Sequence, residues 1–285
     1  MSDSLRPPRE DDAPFAAKLL SEDWPEPIDG ARVLRDWRFP GVEVETDVRL
    51  GPDSYAFVEG FDAERVWIGL AGRPSADLLD WAEGRARELG TRLISGGWAT
   101  QEPLLRELER RGFALVRISQ RMAIDLGVST PQAAWPAGFD IRTFEPGDER
   151  LFYDLHQETF KDTWEPLEEP YDEWAHQFLA PEALAPELWT LVTAAEEPAG
   201  FAMCHPHAVD EELGWISVLG VQRSFRGCGI GRALLLHTFS RFRVLGLRRA
   251  ALGVDSTSPT GADKLYTSVG MHVSARFEIV EKRVA

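Results

Sequence analysis

The chain has 285 residues, 44% of them hydrophobic and 27% charged, and a formal net charge of −16. That length predicts two domains, each able to bury a full core. The acidic balance excludes nucleic acid as a partner, because phosphate contacts need a basic face, and it favours a cationic or amine substrate through steering.

Residues 11–20 predict a helix with acids before its first turn, and 23–37 a loop leading to a short helix. Strands are expected at 42–50, 54–61 and 65–70, separated by turn residues such as Gly51-Pro52-Asp53. Residues 75–89 carry Leu78, Leu79, Ala82 and Ala86 at helical spacing and stop at Gly90. A strand at 91–95, a helix at 101–111 and a long alternating stretch at 114–126 complete the first half. The second half predicts a strand at 139–144, helices at 148–160 and 171–179, and strands at 188–194, 199–205 and 213–221. A helix at about 229–245, a strand at 249–255, a helix at 260–268 and a final β stretch from Met271 follow.

The order repeats, and so do its landmarks. Arg87-Glu88-Leu89-Gly90 and Arg243-Val244-Leu245-Gly246 lie 156 residues apart, which also sets Leu78-Leu79 on Leu234-Leu235. Arg111-Gly112-Phe113 matches Val269-Gly270-Met271. The repeat predicts two copies of one α/β domain, each a mixed central sheet flanked by helices, over residues 1–128 and 137–285. A Pro/Ala/Ser-rich linker separates them. The copies diverge before the long helix. The second takes thirteen steps from Val221 to Leu234, and the first takes eight from Leu70 to Leu78.

The extra residues include Arg226-Gly227-Cys228-Gly229-Ile230-Gly231, between an apolar strand and a helix. Glycines there let backbone N–H groups approach a ligand, and the helix end aims its unpaired donors at an anion. A dinucleotide fingerprint fails at Arg232, and no Lys-Ser/Thr follows to make a P-loop. The first copy has only Ala71-Gly72-Arg73-Pro74-Ser75, a poor phosphate nest with its proline.

The stretch 221–231 resembles the diphosphate motif of the GNAT acyltransferase superfamily, Q/R-x-x-G-x-G/A. Residues 258–271, with Ala262, Leu265-Tyr266 and Gly270-Met271, resemble that family's C-terminal helix pattern. The resemblance covers 138–285 well and the first half weakly. The chain as a whole looks like a tandem GNAT protein with a degenerate N-terminal copy, a mycothiol synthase-like arrangement. The resemblance implies an N-acetyltransferase that moves acetyl from acetyl-CoA to a small amine. Leu219 and Val221 would bind the pantetheine arm through their backbone. The amides of Arg226, Gly227, Cys228, Gly229, Ile230 and Gly231, with the Arg226 side chain, would bind the diphosphate. Arg232 would add charge, Arg223 would serve the 3′-phosphate or adenine edge, and Ser258, where the family often has Asn, would contact the CoA arm or cap the last helix. Tyr266 would protonate the leaving thiolate as the catalytic acid.

Many members of that family carry a general-base Glu early in the fourth strand. Trp215 takes that place here and Glu212 is a poor match, so the base is unassigned. The stretch 158–171 holds Glu158, Asp162, Trp164, Glu165, Glu168, Glu169 and Tyr171, which suit an ammonium group by charge and cation–π contact. Glu158, Asp162, Trp164 and Trp215 are therefore the substrate-binding candidates. His205-x-His207 lacks further ligands, so no metal is expected. Cys228 fills the variable position of the motif. The cysteines, Cys204 and Cys228, are too few for a disulfide framework. With no apolar signal region at the N-terminus and no membrane span, a cytoplasmic monomer or homodimer is expected. Two other readings stand beside the enzyme: an acyl-CoA-binding sensor without turnover, and a hydroxyl or protein lysine as acceptor.

Overall fold

The structure, a computed structural model, describes residues 5–127, 131–161, 169–180, 184–256 and 261–284. Contacts divide the chain into two units, one of residues 1–119 with 275–285 and one of residues 120–274. The units are thus not linear halves. The C-terminal segment, which the linear boundary assigns to the second copy, packs in the first unit.

The first unit carries α1 (Ala13–Asp23), α2 (Gly30–Trp37), a short α3 (Val44–Asp47), β1 (Val48–Leu50), β2 (Ser54–Gly60) and β3 (Arg65–Gly72). Then come α4 (Ala76–Leu89), β4 (Arg92–Trp98), α5 (Glu102–Arg110) and the start of β5 (Ala114–Asp125). Its sheet runs β1-β2-β3-β4, closed by the end of β11 (His272–Arg283). Only the β3–β4 pair is parallel. The second unit carries β6 (Asp140–Thr143), α6 (Glu149–Phe160), α7 (Tyr171–Phe178), β7 (Thr190–Ala194), β8 (Glu197–Pro206) and β9 (Leu213–Val221). After them come α8 (Ile230–Val244), β10 (Arg249–Asp255) and α9 (Ala262–Ser268). Its sheet runs β6-β7-β8-β9-β10-β5, with the β9–β10 pair parallel.

Each sheet is covered on both faces. In the first unit α4 and α5 bury Leu78, Leu104 and Leu108 on one face, and α1 and α2 bury Ala16, Val33 and Trp37 on the other. In the second, α8 and α9 bury Leu234, Phe239 and Tyr266, opposite Phe152 and Trp174 of α6 and α7.

The repeat is visible in equivalent hydrogen bonds. After α4, the amides of Thr91 and Arg92 bond Glu64 O, and after α8 those of Arg248 and Arg249 bond Glu212 O. A Cβ on Gly90 would lie 2.4 Å from Glu64 O, so glycine permits the close approach of chain to strand. Phe113 N bonds Leu108 O as Met271 N bonds Tyr266 O. Leu108 therefore holds in the first unit the place that Tyr266 holds in the second.

Three expectations change. Residues 42–50 form a helical turn and a three-residue strand rather than one strand. The Asp47 carboxylate accepts from Glu43 N at 2.8 Å and binds Arg85, and this local side chain–backbone bond overrides the β-branched pattern. Strand β4 continues past Ser95 to Trp98, because Gly96 and Gly97 lie flat against Ile279 and Glu278 of β11. The alignment of the copies also shifts. Arg73 N bonds Asp53 O as Gln222 N bonds Ala199 O, so Gly72, not Leu70, matches Val221. Leu78 is then five residues on from Arg73 and Leu234 twelve on from Gln222, which lengthens the second turn's advantage.

Candidate active site

Strand β9 builds the site's floor. It pairs with β10 only at Leu213, Gly214 and Trp215, opposite Arg249, Ala250 and Ala251. On its other side, Ile216 opposes Cys204 and Val218 opposes Met203, which leaves Ser217 as a bulge. An extra residue bends and twists a strand, and here it falls where β9 leaves β10. Gln222 N bonds Ala199 O on β8, so the alternation of an antiparallel ladder turns the N–H and C=O of Leu219 and Val221 to the opposite edge. That edge has no registered strand partner among the described residues, and it can accept an extended ligand as another strand would.

The open edge runs into the glycine turn. Arg223–Phe225 forms one 3₁₀ turn, Arg226 is extended, and Gly227 and Gly229 take φ of +83° and +88°. A side chain at such angles costs roughly 1–2 kcal/mol, so glycine is required by conformation. Space is not the constraint at Gly227, where an added Cβ would meet nothing within 4 Å. The first helix amide to reach a backbone carbonyl is Ala233 N, on Gly229 O at 3.1 Å. Those of Ile230, Gly231 and Arg232 precede it at the open end. The first turn of α8 holds no acid to offset the positive dipole end. Arg223, Cys228 and Arg232 are exposed around this turn, and Ile230 is buried under it. A Cβ on Gly231 would lie 3.0 Å from Leu265 Cδ2, so this glycine seats α8 against α9.

The Arg226 side chain faces inward. Its Nε donates to Val221 O at 3.2 Å and its Nη2 to Thr159 O at 3.3 Å. The anion-facing groups of the turn are thus its amides, and this guanidinium ties the turn to the end of α6.

Leu265 precedes Tyr266, whose ring joins the α8–α9 core at 8% exposure. Burial alone pushes its phenol up to about 12, which keeps the proton on through neutral pH. Cys204, a thiol buried in the same unit, is pushed up to about 12 by the same cause.

On the other face, α6 and α7 are clasped by aromatic rings. Tyr153 stacks edge-on to Tyr171 at 5.4 Å and donates its hydroxyl to Glu169 O at 2.7 Å. Trp174 Nε1 donates to His156 Nδ1 at 3.1 Å, which leaves the imidazole proton on Nε2. Burial pushes His156 down to about 4, so it is neutral. Glu169 is half-buried, and burial with the nearby Glu173 carboxylate pushes it up to about 7. Glu158 is exposed and paired with Lys161. Trp215 is half-buried opposite His205. Asp162, Trp164, Glu165, Glu168 and Ser258 lie outside the described residues. Glu212 sits at the start of β9, ion-paired with Arg248, and nine residues of strand, about 30 Å, separate it from Val221. His207 Nδ1 accepts from Asp210 N as a turn cap.

Sequence reasoning missed the clasp, although its signal was present. Tyr153, His156 and Phe160 recur at helical spacing, as do Tyr171, Trp174 and Phe178. It also missed what fills the equivalent place in the first unit. There Gly72 N, the match of Val221 N, faces Asp23 Oδ2 at 3.4 Å. The next side chain, Trp24, packs edge-on against Trp98 at the end of β4, 6.1 Å between centroids.

Residues 150–271 match the profile of the acetyltransferase (GNAT) family. A mycothiol acetyltransferase of Thermobispora bispora is 32% identical over 250 residues, 77% of this chain and 81% of that protein. Among solved structures, a GCN5-related N-acetyltransferase from Sphaerobacter thermophilus is 30% identical, with a TM-score of 0.79 over 98% of this chain and 95% of that one. A tandem GNAT protein from the clavulanic acid biosynthesis pathway shares the fold, with a TM-score of 0.74 at 14% identity and 98% coverage of both chains.

Proposed function

The chain belongs to the GNAT acetyltransferase family, and we propose that it transfers the acetyl group of acetyl-CoA to the primary amine of a small molecule by direct attack in a ternary complex. The observation that carries this reading is the open β9 edge running straight into the amide-lined turn at the head of α8. Leu219 and Val221 hold the pantetheine arm by their backbone, and the amides of residues 227–232 hold the diphosphate. Arg223 and Arg232, both exposed beside the turn, attract the remaining phosphate charge.

Tyr266 supplies the proton for the departing thiolate. Its phenol is protonated at neutral pH and comes from the helix seated on the turn by Gly231. Glu169 accepts the proton of the ammonium group, since its carboxyl is poised near neutrality at the edge of the acceptor stretch. Similarity to a mycothiol acetyltransferase supports a small-molecule acceptor over a protein lysine. The acidic chain favours a cationic one.

We place one site per chain, in the second unit. The first unit has a shorter turn, Leu108 in place of Tyr266, and Asp23 at the amide that the pantetheine arm would need. Calorimetry with acetyl-CoA tests the binding half of this reading, and thiol release with a panel of amines tests the chemistry. No heat from acetyl-CoA defeats the proposal outright. Binding without thiol release for any amine moves it to the acyl-CoA sensor, which the displaced Glu212 favours.

A further inference from the structure

We propose that Arg226 is a positioning residue whose guanidinium couples acetyl-CoA at the 227–232 turn to the C-terminal end of α6, so that the acceptor side is set when the acyl donor is in place. The inference rests on the acetyl-CoA reading above and adds to it a link between the two substrates.

Arg226 stands at the root of the turn, with an extended backbone, directly before Gly227 at φ +83°. A planar guanidinium aimed at a phosphate would offer it two parallel donors. This one instead reaches two main-chain carbonyls, Val221 O on β9 and Thr159 O in the last turn of α6. The carbonyl end of a helix attracts cations, so α6 presents Arg226 with its favourable pole. The contact between α6 and β9 is also close. Gly220 lacks a Cβ, and one added there would lie 2.8 Å from Thr159 Cγ2. The end of α6 thus rests on the strand that carries Leu219 and Val221, and Arg226 bolts it there.

Binding at the turn would fix amides that have no acceptor among the described residues and hold its glycines in one conformation. Arg226, one residue upstream, is fixed with them, and so is the carbonyl it grips. Thr159 follows Glu158, one of the acceptor candidates, so fixing this end of α6 fixes the position of Glu158. Coupling of this kind needs only that one ligand rigidify what the other must find ordered. The grip uses the carbonyl of Thr159 and leaves its hydroxyl out, for Oγ1 is buried with no hydrogen-bond partner among the described residues. Changing the Thr159 side chain therefore spares the link, whereas changing Arg226 removes it.

Hydrogen exchange on the full chain, with acetyl-CoA as the probe, tests this. In the wild-type protein acetyl-CoA slows exchange about fivefold or more both at residues 227–233 and at residues 157–160. Arg226→Met keeps the first protection and loses the second, Arg226→Lys gives an intermediate result, and Thr159→Val keeps both. No protection at 227–233 in the wild-type protein overturns the acetyl-CoA reading and the coupling together. Protection that reaches 157–160 equally in Arg226→Met overturns the coupling alone. So does an Arg226→Met protein in which 157–160 exchanges faster by the same factor with and without acetyl-CoA, since that marks a static brace. A tenfold or larger loss of acetyl-CoA affinity in both Arg226 variants would make the guanidinium a direct ligand and also overturn it.

Discussion

Replacing Tyr266 by Phe separates catalysis from stability at one atom. The phenol belongs to the α8–α9 core at 8% exposure, and burial is the sole cause of its raised pKa, with no hydrogen bond among the contributions. No hydrogen bond joins this hydroxyl to a described residue, and it is not among the buried polar atoms left without a partner, so its removal should change stability at pH 8 by no more than about 1 kcal/mol. Turnover should fall by about 10²–10⁴, the usual contribution of a positioned acid. The alkaline limb gives a second readout. The folded phenol is held at about 12 against 10 for the free group, so its stabilising contribution is complete below pH 10 and lost as pH rises through 12. The full loss is about 2.7 kcal/mol, of which about 1.4 kcal/mol is gone by pH 11. Tyr55 is also raised by burial, but it is present in both proteins and cancels in their difference. Urea denaturation of wild type and Tyr266→Phe at pH 8 and pH 11, with acetyl-CoA-dependent thiol release at neutral pH, measures all three quantities. A variant that is more than 1 kcal/mol less stable at pH 8 would show a structural partner for the hydroxyl. Unchanged turnover would remove Tyr266 from the mechanism.

Three further outcomes follow from the same geometry. Glu169 should set an acidic limb in the rate profile, with activity rising through about pH 7 as its carboxyl ionises, and Glu169→Gln should lose that limb. The same raised pKa makes its stabilising contribution complete below the free carboxyl's value and lost as pH rises through 7, so thermal unfolding should find Glu169→Gln relatively more stable at pH 8 than at pH 4. Gly229→Ala should destabilise by about 1–2 kcal/mol through its positive φ and weaken acetyl-CoA binding in calorimetry, while an unchanged affinity would discount the amide nest. Asp23→Ala should still bind one acetyl-CoA per chain, because freeing Gly72 N does not supply the missing turn; a stoichiometry of two would refute the assignment of the first unit.

Much of the fold was legible because it depends on local signals that recur. The glycines ending α4 and α8, the paired leucines and the strand order mark two copies of one domain, and the 226–231 turn marks their difference. The apolar pattern set Val221 against Leu70 because it does not mark where a strand ends; the ladder, with Gly72 opposite Ser54 and Val221 opposite Gly200, aligns the two strand ends. The division of the chain was hidden for a similar reason. Residues 275–285 alternate like any strand, and which sheet they join depends on β4 presenting Gly96 and Gly97 to them.

The sequence alone determined that a strand, a glycine turn and a helix occur once in a chain of two copies, since turn geometry and helix ends are properties of neighbouring residues. The resemblance of residues 258–271 to the family's C-terminal helix pattern pointed to Tyr266. The tertiary structure decided what these parts face. It turned the Arg226 guanidinium inward to Thr159, put Asp23 against Gly72, and buried Tyr266 and Glu169 enough to move their protons. Those outcomes depend on distances between residues far apart in the chain and on the loss of water around them, and no local pattern encodes either.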